Sequence, residues 1–142
     1  MIIPEELRRK IADDDVRVGS VIKLYDTEAE KYKWHIVVGG DSDNLLTATV
    51  RINSEINANI PSKLRKYQHS IKKTDYCFLK HDSHVNCSML IEHKKSSLVN
   101  HIKDNPLLML GCIEEKKIDE IRSIIAICET IEPKQKKKFG LT

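Results

Sequence analysis

The chain has 142 residues, 40% hydrophobic and 32% charged, the balance of one ordinary globular domain that can bury its own core. Its 24 basic residues face 21 acidic ones, and the resulting +3 is too small to announce nucleic-acid binding by itself. No apolar run approaches the roughly 18 residues needed to span a bilayer, and MIIPEELRRK lacks the basic-then-apolar order of a signal peptide, so a cytoplasmic address is expected.

The elements are read in chain order. After Pro4, EELRRKIADDD places Leu7 and Ile11 four residues apart behind an acidic first turn, which predicts a helix over about 4–15. GSVIKLYD is rich in β-branched residues and reads as a strand, closed by the polar stretch TEAEKYK. WHIVVGG is a nearly continuous apolar run, so it suits a strand covered on both faces. In LLTATVRINS the pattern alternates: Leu46, Ala48, Val50 and Ile52 point to a core, and Thr47, Thr49, Arg51 and Asn53 are expected to be wet.

EINANIPSKLRKYQHSIKK predicts a helical insertion over about 56–73, with Ser62 as cap, a helix through Leu64 to Ile71 and a lysine-rich outer face. Strands are expected again at DYCFL and HVNCSMLI. In the second, Val85, Cys87, Met89 and Ile91 share one face and His84, Asn86 and Ser88 the other. SSLVNHIKDNP predicts a short helix stopped before Pro106, and LLMLGCI a second buried run. In EEKKIDEIRSIIAICETIEP, Ile118, Ile121, Ile125, Cys128 and Ile131 recur at helical steps, up to Pro133. The basic tail over 134–142 is expected to be mobile. Residues 1–133 are then one α+β domain with antiparallel strands. The widely spaced Cys77, Cys87, Cys112 and Cys128 read as buried free thiols.

The chemistry is narrower. HDSHVNC offers His81, His84 and Cys87, but residues three apart on a strand point to opposite faces, so no metal site is expected. Neither a G-x-S-x-G nor a phosphate-binding glycine loop is present, and no cofactor is expected. Metal-independent RNA cleavage fits better, because it asks for a base, an acid and groups that hold phosphate. The outward sets Thr49, Arg51, Asn53 and His84, Asn86, Ser88 supply such groups, although from chemistry alone the plainer reading of them is solvated strand faces.

A glycine-led first strand, the buried WHIVVGG, a third strand ending VRINSEI, the later VNCSMLIE and the closing LGCIEEKKIDEIRSII together resemble the PemK/MazF family of toxin ribonucleases, over roughly 19–131. The resemblance implies a small, strongly bent antiparallel sheet of SH3-like barrel type with a C-terminal helix, in a homodimer. It also implies metal-free cleavage of single-stranded RNA to a 2′,3′-cyclic phosphate, and an acidic antitoxin that blocks the same groove. The family's arginine–proline before the second strand is replaced by KYKWH, with Lys33 and His35 nearby. Its threonine–serine pair becomes Asn53–Ser54, and the arginine and aspartate of some members fall on Asn86 and Ser88. Lysine lacks arginine's bidentate fork, and asparagine cannot take a proton. The expectation is therefore that Lys33, Arg51, Asn53, Asn86 and Ser88 bind RNA while His35, His84 and Ser54 carry the chemistry, His81 being a further proton carrier. The alternative is an SH3-like module that binds RNA or an acidic protein segment without cutting.

Overall fold

The structure is a computed structural model that describes residues 2–54 and 60–142. Behind Pro4 the helix α1 (Glu5–Asp15) forms with Glu5 and Glu6 at its N-terminus, where negative charge suits the helix dipole. Three long strands follow: β1 (Ser20–Asp26), β2 (Lys31–Gly40) and β3 (Leu46–Asn53). Then come a single turn α2 (Ser62–Arg65) and short strands β4 (Gln68–Ile71), β5 (Ser83–Asn86) and β6 (Ile91–Lys94). Helix α3 (Lys95–Asp104), a 3-10 turn at Pro106–Leu108, β7 (Met109–Cys112), α4 (Glu115–Ile127) and α5 (Pro133–Lys138) complete the chain.

All strand pairings are antiparallel, in the order β4-β5-β3-β2-β1-β7 with β6 also on β3. The free edge of β3 is divided. Leu46 to Thr49 pair with β6, whereas Ile52 and Asn53 pair with β5. A strand shared in this way must bend, and register shifts between Val37 and Gly39 and between Val21 and Ile22 add to the curl. The result is the expected α+β fold, a strongly curled antiparallel half-barrel consistent with the SH3-like type.

Both faces of the curled sheet are covered. On one, Val21, Ile36, Val38, Val50 and Val85 pack with Ile118, Ile121 and Ile125 of α4. On the other, Ile22, Leu24 and Val37 meet Ala12 and Val16 at α1 and Leu98, Val99 and Ile102 of α3. This second layer corrects the reading of β3 as wet on one side: Thr47 and Thr49 are buried, because α1 and α3 close over that half of the sheet. Only the far end, at Arg51 and Asn53, stays partly open.

Other expectations change for identifiable reasons. Of the helical insertion, residues 56–59 lie outside the described residues. Its remainder is helical only over Ser62–Arg65, since Gln68 to Ile71 pair with β5 and so continue the sheet. DYCFL is not a strand; i to i+3 bonds such as Asp75 N–H to Lys72 O and Leu79 N–H to Tyr76 O turn it, burying Tyr76 and Leu79. The strand through VNCSML breaks after Asn86, leaving Met89 exposed. Cys87 and Cys128 are buried, but Cys77 and Cys112 are exposed, and all four are free.

The largest revision is the tail. α4 stops at Ile127 instead of running to Pro133, with Cys128 and Ile131 buried beyond its end; Pro133 opens α5, and Phe139 and Leu141 are each 2% exposed. Gly39 makes room for Phe139, since a Cβ there would stand 2.7 Å from its carbonyl oxygen. Arg122 ties the same two segments, donating to Val38 O at 2.5 Å and Gly140 O at 2.8 Å. Among the described residues no helix is long and apolar enough to cross a membrane.

Candidate functional site

Alternation places Lys31, Lys33 and His35 on one side of β2 and Tyr32 and Trp34 on the other. Where β2 and β3 project beyond the helices, these residues border two cavities that share Lys31, Lys33, Asn53 and Ser54. The larger, about 530 Å³, is also lined by Arg51, Asn86, Met89 and Glu28. The smaller, about 230 Å³, continues past Trp34 to Lys80, His81 and Ser83. The two lie on opposite sides of β2 and meet around the strand ends at the four shared residues; this two-sided groove is lined by Arg51 and Asn86 on one side, by Lys80 on the other, and by Lys31, Lys33, Asn53 and Ser54 on both.

Two of the groove's cations are already held by neighbours. Lys33 Nζ donates to Asn53 Oδ1, and burial beside Lys31 and Arg51 lowers its pKa from the ordinary lysine value. Arg51 forms a fork with Asp26, Nε to Oδ2 at 2.5 Å and Nη2 to Oδ1 at 3.1 Å, and Nη2 also reaches Glu28 Oε2 at 3.0 Å. Burial would raise the Asp26 pKa, but the Arg51 bonds and charge and the Ala29 N–H together hold it below the usual carboxylate value. Glu28, by contrast, is 70% exposed, so its end of this network opens to water.

Beneath the groove lies a polar chain that the sequence pattern did not single out. His35 is 2% exposed; its Nδ1 is 3.1 Å from Thr49 Oγ1, which is 2.9 Å from His93 Nε2. Either direction of donation along the chain satisfies both bonds; the Asp26 carboxylate near His35 Nε2 favours the one in which His93 Nε2–H donates to Thr49, the Thr49 hydroxyl donates to His35 Nδ1 and His35 Nε2 carries a proton. His35 Nε2–H then points toward Asp26 Oδ2, 3.7 Å away, too far for a hydrogen bond. Burial, reinforced by His93 and only partly opposed by Asp26, lowers the His35 pKa to about 4. The His93 pKa is lowered too, mainly by burial, so both rings are neutral at pH 7.

The expected site residues therefore divide. Lys33, Arg51, Asn53, Ser54 and Asn86 come together in the groove. His35 stands below it, closed off from solvent. His84 pairs with Asn53 on the neighbouring strand, and neither His84 nor Ser88 lines either cavity. Ser88 instead orders Asn86: its N–H and Oγ–H donate to Asn86 Oδ1 at 3.1 and 2.5 Å, joined by Gln68 Nε2 at 2.9 Å. That oxygen is saturated, which leaves the Asn86 amide nitrogen for a ligand. Of the three histidines considered for proton transfer, His81 is the one that lines the groove.

Asp26, Glu28, Lys31, Lys80 and His93 were not anticipated. The alternation KYKWH carried a signal for Lys31, but nothing in the chain order brings Asp26 to Arg51 or His93 to Thr49. Among the described residues, no three His, Cys, Asp or Glu side chains gather as a metal site would require. No protein-family model matches the chain, and no curated protein matches it.

Proposed function

We propose that this chain is a metal-independent endoribonuclease that cuts single-stranded RNA in the groove between β2, β3 and β5, as PemK/MazF toxins do. The observation that carries the reading is that Lys31, Lys33, Asn53 and Ser54 line both cavities at the end of the curled sheet, with Lys80 and His81 added on one side and Arg51 on the other. Lysine and arginine there hold the phosphate backbone and stabilise charge that grows on a pentacoordinate phosphate. Ser54 and Asn53 hydrogen-bond its oxygens or the ribose.

The reaction needs one proton removed and one returned. His81 takes the proton from the 2′-hydroxyl, the 2′-oxygen attacks phosphorus, and the bond from phosphorus to the 5′-oxygen breaks. The leaving 5′-oxygen takes a proton from Lys33, whose lowered pKa suits it to the role, or from water. The products are a 2′,3′-cyclic phosphate and a 5′-hydroxyl. In this reading an acidic antitoxin segment fills the same cationic groove, and the functional unit is a homodimer in the cytoplasm.

The test is single-turnover cleavage of a single-stranded RNA with chelator present. His81→Ala is expected to slow the step by about 100-fold or more, while His84→Ala leaves it nearly unchanged. Equal rates for the His81 variant and the parent chain would remove His81 from the mechanism.

A second reading is favoured by one observation. Arg51 is already bound to two carboxylates and His35 is buried and neutral, so the groove also suits a module that grips RNA or an acidic protein segment without cutting it. That module would show saturable, salt-weakened binding and no product over hours.

A further inference from the structure

Beside the groove the hairpin of β1 and β2 exposes aromatic rings that no core requires. Tyr25 and Tyr32 are paired across the strands, edge to face with centroids 5.4 Å apart, and are 55% and 60% exposed. Lys23 Nζ stands 5.4 Å from the Tyr32 ring centroid. On the same face of β2, Trp34 is half-buried: one side packs toward the core and meets Phe78 edge to face at 5.9 Å, which fixes the indole plane. Tyr32 and Trp34 both line the smaller cavity, flanked by Lys31 and Lys80 and with Ser54 at its edge.

Large exposed rings interleaved with lysines are the combination on which unstacked bases settle. Each base offers a flat π-face, the ring supplies another, and the cations follow the backbone on either side. We propose that Tyr32 and Trp34 form a stacking subsite for one unpaired nucleobase, with Lys31 and Lys80 on the phosphates that flank it. The proposal rests on the reading of the groove as an RNA site and names what that groove recognises besides phosphate. A base inside a duplex has both faces covered, so the subsite selects single strands. Tyr25 serves as the wall that holds the Tyr32 ring in place.

Trp34 is the only tryptophan of the chain, so its emission reports directly on this cavity. The experiment titrates the protein with a short 2′-O-methyl RNA, which cannot be cut at its 2′-oxygens, and with an abasic strand of the same length and charge. The parent chain is expected to bind the base-bearing strand at least about fivefold more tightly, with a change in Trp34 emission that the abasic strand does not produce. Tyr32→Ala is expected to erase that preference yet keep abasic binding, and Tyr32→Phe to retain it. Equal affinity of the parent chain for both strands overturns the stacking subsite while leaving the cationic groove intact. An unaltered preference in Tyr32→Ala overturns it as well. Binding of neither strand removes the groove reading and the subsite together.

Discussion

At the residue scale the buried histidine has a measurable signature. His35 in the folded chain titrates near 4, whereas an unfolded chain takes up its proton near the ordinary value of about 6.5. The unfolded state therefore binds more protons in that interval. Stability from this residue is complete above about pH 6.5 and is lost as pH falls toward 4, by roughly 3 kcal/mol in all. His93, shifted in the same direction, adds to the trend, while Asp26 resists acid until below the ordinary carboxylate value. Urea unfolding from pH 7 down to 4 should show this slope, and His35→Gln should flatten it; an equally steep curve for the variant would place the titrating group elsewhere. That Arg51 and Asn53 share a face was legible from strand alternation; Lys33 and Ser54 were marked only by the resemblance, and it is the pairing of His35 with Arg51 that sets Lys33 on the Arg51 side. The burial of His35 was not legible. It depends on α3 and β6 folding back over Thr49, a long-range event that leaves no mark in KYKWH.

At the scale of elements, local pattern worked where one segment makes its own contacts. The isoleucines of α4 repeat at helical steps, and Ile118, Ile121 and Ile125 are indeed the residues it buries. WHIVVGG, apolar without alternation, is covered on both sides as such a run should be. Pattern failed where a distant partner decides the conformation. QHSI follows a helical turn yet becomes β4, since β5 offers an open edge with matching register. KQKKKFGLT reads as a charged end, but Phe139 finds a slot that Gly39 leaves over β2 and Leu141 is buried in the same core. Phe139→Ala is accordingly expected to cost about 3–5 kcal/mol in chemical unfolding, the loss of a buried aromatic ring. A change under about 1 kcal/mol would show that the tail contributes little to the core.

At the scale of the whole molecule, two helical layers and a curled sheet account for where a ligand can reach. α1 with α3 pack on one sheet face and α4 with the tail residues Phe139 and Leu141 on the other, and the ends of β2 and β3 at Lys31 and Asn53 border the two cavities. The polar groups of a closed sheet would be satisfied or buried; here they gather at one open end with positive charge. The strand order was foreseen only as a bent antiparallel sheet, because the split edge of β3 between β5 and β6 arises from pairing across some forty residues rather than from any one motif. The central claim is that this end cuts RNA without metal. Its most direct test is incubation of the purified chain with mixed-sequence single-stranded RNA in excess chelator, from about pH 5 to pH 9, with chemical analysis of the new ends. The account predicts fragments carrying 2′,3′-cyclic phosphate and 5′-hydroxyl ends, strongly reduced by Lys33→Ala and Arg51→Ala. RNA left intact throughout that range would contradict it.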